Sequence, residues 1–293
     1  MTTATPENGH PPAGSGAGAV APVRIVIRPA RGLGALRLGE LWEYRELLGF
    51  LVWRDVLVRF KQAAFGIGWA VLQPLLLTAV LTIFLNRVAG VYSYGVPYAV
   101  FALAGIVPWM LFSRALLTSS GSLVENANLV SKVYFPRLAL PIAAASSYLI
   151  DFAVSLVVLL AVMFIYGVAL TWAVLLMPVF ALFALLVSLS FGIWFSAVNV
   201  RYRDVSFLLP FAIQLGLLVT PIAYSSSRIP EQWQPYVGLN PMAGVVEGFR
   251  WSVTGIEPPS LHEVGLSLGV TLVVLVLGLV YFRKTERTFA DVI

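Results

Sequence analysis

The sequence predicts an all-α polytopic membrane protein with six transmembrane helices, an N-terminal amphipathic interface helix and short helices in one long outer loop. Three observations carry this prediction. Of 293 residues, 59% are hydrophobic and only 11% charged, where soluble domains carry about 25% charge. Six apolar stretches can each cross a hydrocarbon core of about 30 Å at about 1.5 Å per residue. The basic residues cluster beside those stretches, mostly on one side.

The apolar stretches lie near 67–88, 97–118, 138–166, 172–198, 206–226 and 263–282. Only Gly167 to Thr171 separate the third from the fourth, so these two form a tight helical hairpin. Arginine and lysine set the orientation. Arg24, Arg28, Arg31, Arg37, Arg45, Arg54, Arg59 and Lys61 precede the first span. Lys132 and Arg137, then Arg201 and Arg203, fill the second-to-third and fourth-to-fifth loops, and Arg283, Lys284 and Arg287 follow the last span. Of 19 basic residues only Arg87, Arg228 and Arg250 fall on the other side, and Arg114 sits near the inner end of the second span. This bias puts both termini in the cytoplasm, which requires an even number of spans. Six satisfies that, while five or seven would not.

Residues 1–35 read as a disordered tail, with Pro6, Pro11, Pro12 and Pro22 among glycine, alanine and serine. Residues 36–66 hold the interface helix and the approach to the bilayer, and 67–293 form the transmembrane domain. Leu41, Tyr44, Leu48 and Leu51 recur at helical spacing, with Glu40, Glu43 and Glu46 elsewhere on the wheel, as in a helix lying in the interface plane. The outer loop, 227–262, interleaves Trp233, Tyr236, Met242, Phe249 and Trp251 with Pro230, Pro235 and Pro241. Short helices broken at the prolines and partly dipped into the bilayer satisfy both features.

Several chemistries are excluded or thinly supported. The chain has no cysteine, which removes disulfides and thiolate metal sites. His10 and His262 have no ligand-type neighbours, so no metal site is expected. The net charge of +5 belongs to membrane-flanking clusters, not to a nucleic-acid surface. An ATP-binding loop needs a Gly-Lys pair, and the three lysines follow Phe60, Ser131 and Arg283. Any ATP used is therefore hydrolysed on another chain. Asp151 is the one acid deep in an apolar span. It reads as a hydrogen-bonding group between helices, as part of a substrate path, or as a proton-coupling group that would still need a partner.

Three further segments are informative together. Arg54-Asp55-Val56-Leu57-Val58-Arg59-Phe60-Lys61-Gln62 runs into Phe65-Gly66-Ile67-Gly68-Trp69 and Leu72-Gln73-Pro74. Pro108-Trp109 is followed by Ser122-Leu123-Val124-Glu125-Asn126-Ala127-Asn128-Leu129-Val130-Ser131-Lys132-Val133-Tyr134-Phe135-Pro136-Arg137. In that segment Leu123, Ala127 and Val130 would share a helix face and leave Glu125, Asn126 and Asn128 exposed. Asn199-Val200-Arg201-Tyr202-Arg203-Asp204 forms a charged turn before the fifth span, and Leu239-Asn240-Pro241-Met242-Ala243-Gly244 with Glu247-Gly248-Phe249-Arg250 lies in the outer loop. In this order, over roughly residues 40–290, the segments resemble permease subunits of ABC-2-type exporters for polysaccharides, O-antigens and teichoic acids. The sequence departs from that pattern at Ala63-Ala64-Phe65, where a hydroxyl residue and a leucine are expected.

The resemblance implies a homodimeric channel in the bacterial inner membrane, with an ATPase subunit under each half. ATP and magnesium would belong to that partner, and this chain would carry no cofactor and no catalytic residue. Glu43, Glu46, Glu125, Asn126, Asn128 and Lys132 would receive the ATPase stroke. Trp233, Asn240, Pro241, Phe249 and Arg250 would build the periplasmic gate. The cargo would be a polyprenyl-diphosphate-linked polysaccharide, its diphosphate met at the cytoplasmic entrance by Arg54, Arg59 and Lys61. Tyr98, Phe101, Trp109 and Phe112 fall in an arc of about 80° on the second span. Aromatic faces suit a sliding sugar chain, and the same stripe equally suits helix packing. With Trp69 and Asp151 these four form the candidate substrate path. Rival readings are an ABC-2 exporter of a drug or lipid, a membrane-embedded glycosyltransferase or acyltransferase, and a secondary carrier.

Overall fold

A computed structural model describes residues 38–61, 68–88 and 95–292. The tail expected over 1–35 and the departure at Ala63-Ala64-Phe65 lie outside the described residues. Among those residues every regular element is a helix, and no strand forms. Helices α1 (Leu38–Glu43) and α2 (Arg45–Lys61) precede the first span, α3 (Gly68–Leu81), which continues as a π-helical turn over Thr82–Val88. The second span is α4 (Tyr98–Glu125), followed by the short α5 (Ala127–Lys132). The third span is α6 (Ala139–Ser146) continued by α7 (Tyr148–Ile165). A 3₁₀ turn over Trp172–Leu176 leads into α8 (Met177–Arg201), with Pro178 at its start, where a missing N–H costs nothing.

The fifth apolar helix, α9, covers Val205–Val219 only, not the span expected over 206–226. Pro221 forces the residue before it out of the helical region, and Thr220 is accordingly extended with ψ 137°. The 15 residues of α9 reach about 22 Å, so among the described residues five helices are long and apolar enough to cross a bilayer and α9 is a shorter sixth. The second span errs in the other direction. It was expected to stop at residue 118, yet α4 runs to Glu125. The serines that mark its end in the sequence are satisfied within the bundle: Ser119 Oγ donates to the Pro141 carbonyl at 3.0 Å and Ser122 Oγ to the Ser119 carbonyl at 2.8 Å.

The outer loop forms short helices at its prolines, as expected. A 3₁₀ turn covers Ser226–Arg228, and α10 covers Gln234–Val237 with Pro235 at its start. Then α11 (Pro241–Thr254) is opened by Asn240, whose side chain accepts the Met242 N–H at 3.1 Å, and closed by Gly255 at φ 71°. The last span is α12 (Leu261–Thr285), followed by a 3₁₀ turn and α13 (Phe289–Val292).

Helix α4 is the centre of the bundle, touching α3, α6, α7, α8, α9 and α11, while α12 packs on α8 and α11. Its run of Val100 to Val107 is buried on every side, which suits an all-round apolar helix. Helix α11 is enclosed as well: Met242, Ala243, Val245, Val246 and Phe249 are buried. At Gly248 the Phe180 ring of α8 occupies the space a Cβ would need, and this close approach requires glycine.

Candidate functional site

Candidate functional side chains collect in two polar assemblies. The first is at the basic end of the bundle. There α2 lies against α6, and Leu51, Leu123, Val130, Phe135, Leu138, Val200, Phe282 and Phe289 share one apolar core. Elements from five parts of the sequence are thereby fixed to each other: α2, the α4–α5 junction, α6, the end of α8 and the end of α12. The expected inner face of the surface helix is realised, with Leu41, Tyr44 and Leu48 packed against this core and Leu51 within it. Trp42, Phe50 and Trp53 project outward, more than half exposed.

Two arginines of α2 tie it to the spans. Arg54 Nη2 donates to Asp55 Oδ1 at 2.8 Å and to Asn126 Oδ1 at 3.0 Å, while Asn126 Nδ2 donates to the Ser122 carbonyl at 2.8 Å. Arg59 Nη1 donates to Asp151 Oδ2, Arg59 Nη2 donates to Ser147 Oγ at 2.7 Å, and the guanidinium lies 3.6 Å from the Tyr148 ring centroid. Asp151 is buried, and Arg59 is its counter-ion. Two residues assigned to the entrance by sequence are thus joined to one coupling residue and one path residue. Lys61 remains exposed at the end of α2.

The coupling candidates Glu43, Glu46, Glu125, Asn128 and Lys132 are exposed, and Asn126 is half-buried. Tyr134, 83% exposed, and Val133 extend this knob, and sequence reasoning did not single them out. The charged turn after α8 owes its shape to a buried residue. Asn199 Nδ2 donates to the Ser120 carbonyl at 3.1 Å and Asn199 Oδ1 accepts from Ser206 Oγ at 3.0 Å, joining α8 to α4 and α9.

The second assembly lies where α4, α11 and the chain after α9 meet. Arg250 is buried with Glu247, donating to its Oε2 at 2.9 Å. The same guanidinium donates to the carbonyls of Pro221 at 2.9 Å and Ile222 at 2.8 Å, and sits 3.9 Å from the Phe101 ring centroid. Burial pulls the Arg250 guanidinium below its ordinary pKa and Glu247 opposes that. Tyr98 Oη donates to the Ala223 carbonyl at 2.8 Å. Together these bonds satisfy carbonyls of the non-helical chain that follows α9. Asn240 adds a bond to Thr220 Oγ1 at 2.9 Å. An open cavity of about 710 Å³ adjoins, bordered by Ser225, Gln234, Glu247, His262 and Glu263 among others. Trp233 is exposed and Pro241 starts α11. Phe249 is buried with its ring edge-on to Phe152 at 5.9 Å.

The aromatic stripe of α4 connects the two ends but is covered. Tyr98, Phe101, Trp109 and Phe112 are all buried. Trp109 stacks obliquely on Phe112 at 5.2 Å and its ring lies against Gly216 of α9. In this conformation the stripe packs helices together and offers no open face. Trp69 is 45% exposed on α3.

The comparisons agree with this architecture. Residues 46–254 match the model of a family described as ABC-2 type transporter. The O-antigen export system permease protein RfbA of Klebsiella pneumoniae is 29% identical over 259 residues, covering 87% of this chain and 97% of that protein. A protein of the same name from Myxococcus xanthus is 27% identical, covering 86% of this chain and 97% of its own length. The polysialic acid transport protein KpsM of Escherichia coli is 26% identical, covering 80% of this chain and 91% of that protein.

Proposed function

This chain belongs to the ABC-2 type transporter family, and on that premise we propose that it is the permease subunit of an exporter for a polyprenyl-diphosphate-linked polysaccharide. The observation that carries the reading is the near full-length similarity to proteins whose names state O-antigen export and polysialic acid transport. ATP is hydrolysed, with magnesium, by a separate ATPase subunit docked at the basic end. That end faces the cytoplasm with both termini, in line with the arginine and lysine bias.

The platform of α2, α5 and the ends of α8 and α12 suits a stroke delivered from outside the membrane, because one apolar core joins all of them. Its exposed surface carries Glu43, Glu46, Glu125, Asn128 and Lys132, with Asn126 linking it to Arg54. The Arg250 assembly acts as the outer gate, holding the end of α9 against α4 until the platform moves. Two copies make the channel. Helices α3 and α9 expose apolar side chains together with Gln73 and Gln214, polar groups that hydrocarbon would not solvate and a second copy would cover. Trp69, Leu72 and Leu76 belong to the same exposed α3 surface.

Co-expression with a neighbouring ATPase gene and purification in mild detergent tests the reading. A complex with two copies of each chain and ATP hydrolysis is expected. Purification without any ATPase, under every mild condition tried, would refute it.

A further inference from the structure

Helix α4 is buried almost everywhere, yet one stripe along its basic half is only half-buried: Met110, Ser113, Arg114, Leu117, Thr118 and Gly121. The spacing of three and four residues places all six on one face. Arg114 is the charge in this stripe. It lies eleven residues before the helix end at Glu125, about 16 Å from it at about 1.5 Å per residue, within the span. Among the described residues Arg114 makes no hydrogen bond and no ion pair, and the ionisable groups acting on it are Asp151, Tyr148 and Arg59. Asp151 is committed to Arg59, which also holds Ser147 and covers Tyr148. Two guanidiniums therefore share one carboxylate, and the surplus positive charge resides on Arg114.

An unpaired guanidinium at that depth is costly against lipid tails and is retained where it faces water or an anion. Its planar fork matches phosphate oxygens in two places at once. The hydroxyls of Ser113 and Thr118 share its face, and Thr118 Oγ1 already donates to Tyr148 Oη at 2.9 Å. Inside a membrane, phosphate arrives attached to a lipid. We infer that Arg114 and its half-buried stripe bind the phosphate group of a lipid that enters between the helices from the leaflet at the basic end. Resting on the export reading above, that group is the diphosphate of the lipid-linked cargo. Of the entrance cations expected from sequence, Arg54 and Arg59 are held by protein partners, which leaves Arg114 as the deeper anion receptor beyond exposed Lys61.

The test uses the full-length chain in lipid nanodiscs, with undecaprenyl diphosphate, undecaprenol and phosphatidylglycerol as probes. Wild type, Arg114→Gln and Arg114→Lys are compared after confirming equal thermal melts and elution. Wild type is expected to prefer undecaprenyl diphosphate over undecaprenol by about tenfold or more. Arg114→Gln should abolish that preference and Arg114→Lys should keep part of it. Equal loss of phosphatidylglycerol binding in Arg114→Gln supports the phosphate site and assigns its ligand to the bilayer instead of the cargo. No preference in wild type, or an unchanged preference in Arg114→Gln, overturns the site. Because Arg114→Gln binding is read without ATP, a failed site with intact polymer export leaves the export reading standing.

Discussion

Arg54 of the surface helix donates to the Asn126 side chain at 3.0 Å, across 72 positions of sequence, and so fastens α2 to the junction between α4 and α5. Under the proposed coupling role, a push on the exposed knob would reach α2 through that bond and the spans through the apolar core beneath it. Arg54→Ala or Asn126→Ala should cost only ~1 kcal/mol of stability, since the bond is partly exposed. The larger effect is expected in coupling, with ATP hydrolysis retained and polymer exported per ATP reduced several-fold. Equal losses of hydrolysis and export would assign the bond a purely structural part.

The ion pair of Arg59 and Asp151 lies deeper, with side chains 23% and 9% exposed. Removing one partner strands the other, at about 3 kcal/mol. Asp151→Ala should therefore melt earlier than wild type, and adding Arg59→Ala should recover part of the loss. A double-mutant cycle on thermal melts measures it. Asp151→Asn should export with an unchanged pH profile. A profile that shifts while the ATPase still docks would make Asp151 a proton-coupling group.

Burial of the α4 aromatics sets a third expectation. Trp109 packs on Phe112 and against Gly216, so Trp109→Ala should cost about 3 kcal/mol or more. Stability and assembly should fail before transport does. An assembled, normally melting Trp109→Ala complex that exports slowly would place the stripe on the substrate path in another conformation.

Gly248→Ala drives its Cβ into the Phe180 ring. Overpacking at such a site costs about 2 kcal/mol, and α11 carries buried Arg250 only two residues further on. Lower thermal stability is expected, with partial rescue by Phe180→Leu. A neutral Gly248→Ala would mean that α8 and α11 separate readily.

The spans, the surface helix and the proline-broken outer helices were legible because each is written in local periodicity or in punctuation. The span expected over 206–226 ran through Pro221, whose effect on Thr220 explains why α9 stops early. The pairing of Arg59 with Asp151 was not legible, since it bridges 92 positions and no spacing rule reaches that far. Periodicity placed Tyr98, Phe101, Trp109 and Phe112 on one face of α4 and could not say what covers that face. It left Arg114 as a boundary residue near the end of a span, whereas the longer α4 puts it well inside. Asn199 was read as part of a charged turn, and only the bond to the Ser120 carbonyl shows why an amide stands there.

The central claim is tested most directly in inverted membrane vesicles containing this chain and its co-purifying ATPase, supplied with a radiolabelled polyprenyl-diphosphate-linked polysaccharide. The account predicts ATP-dependent movement of the polymer into the lumen, protected from added glycosidase and absent when the ATPase is inactive. Polymer that stays fully accessible to the glycosidase, while the assembled complex hydrolyses ATP, would contradict it.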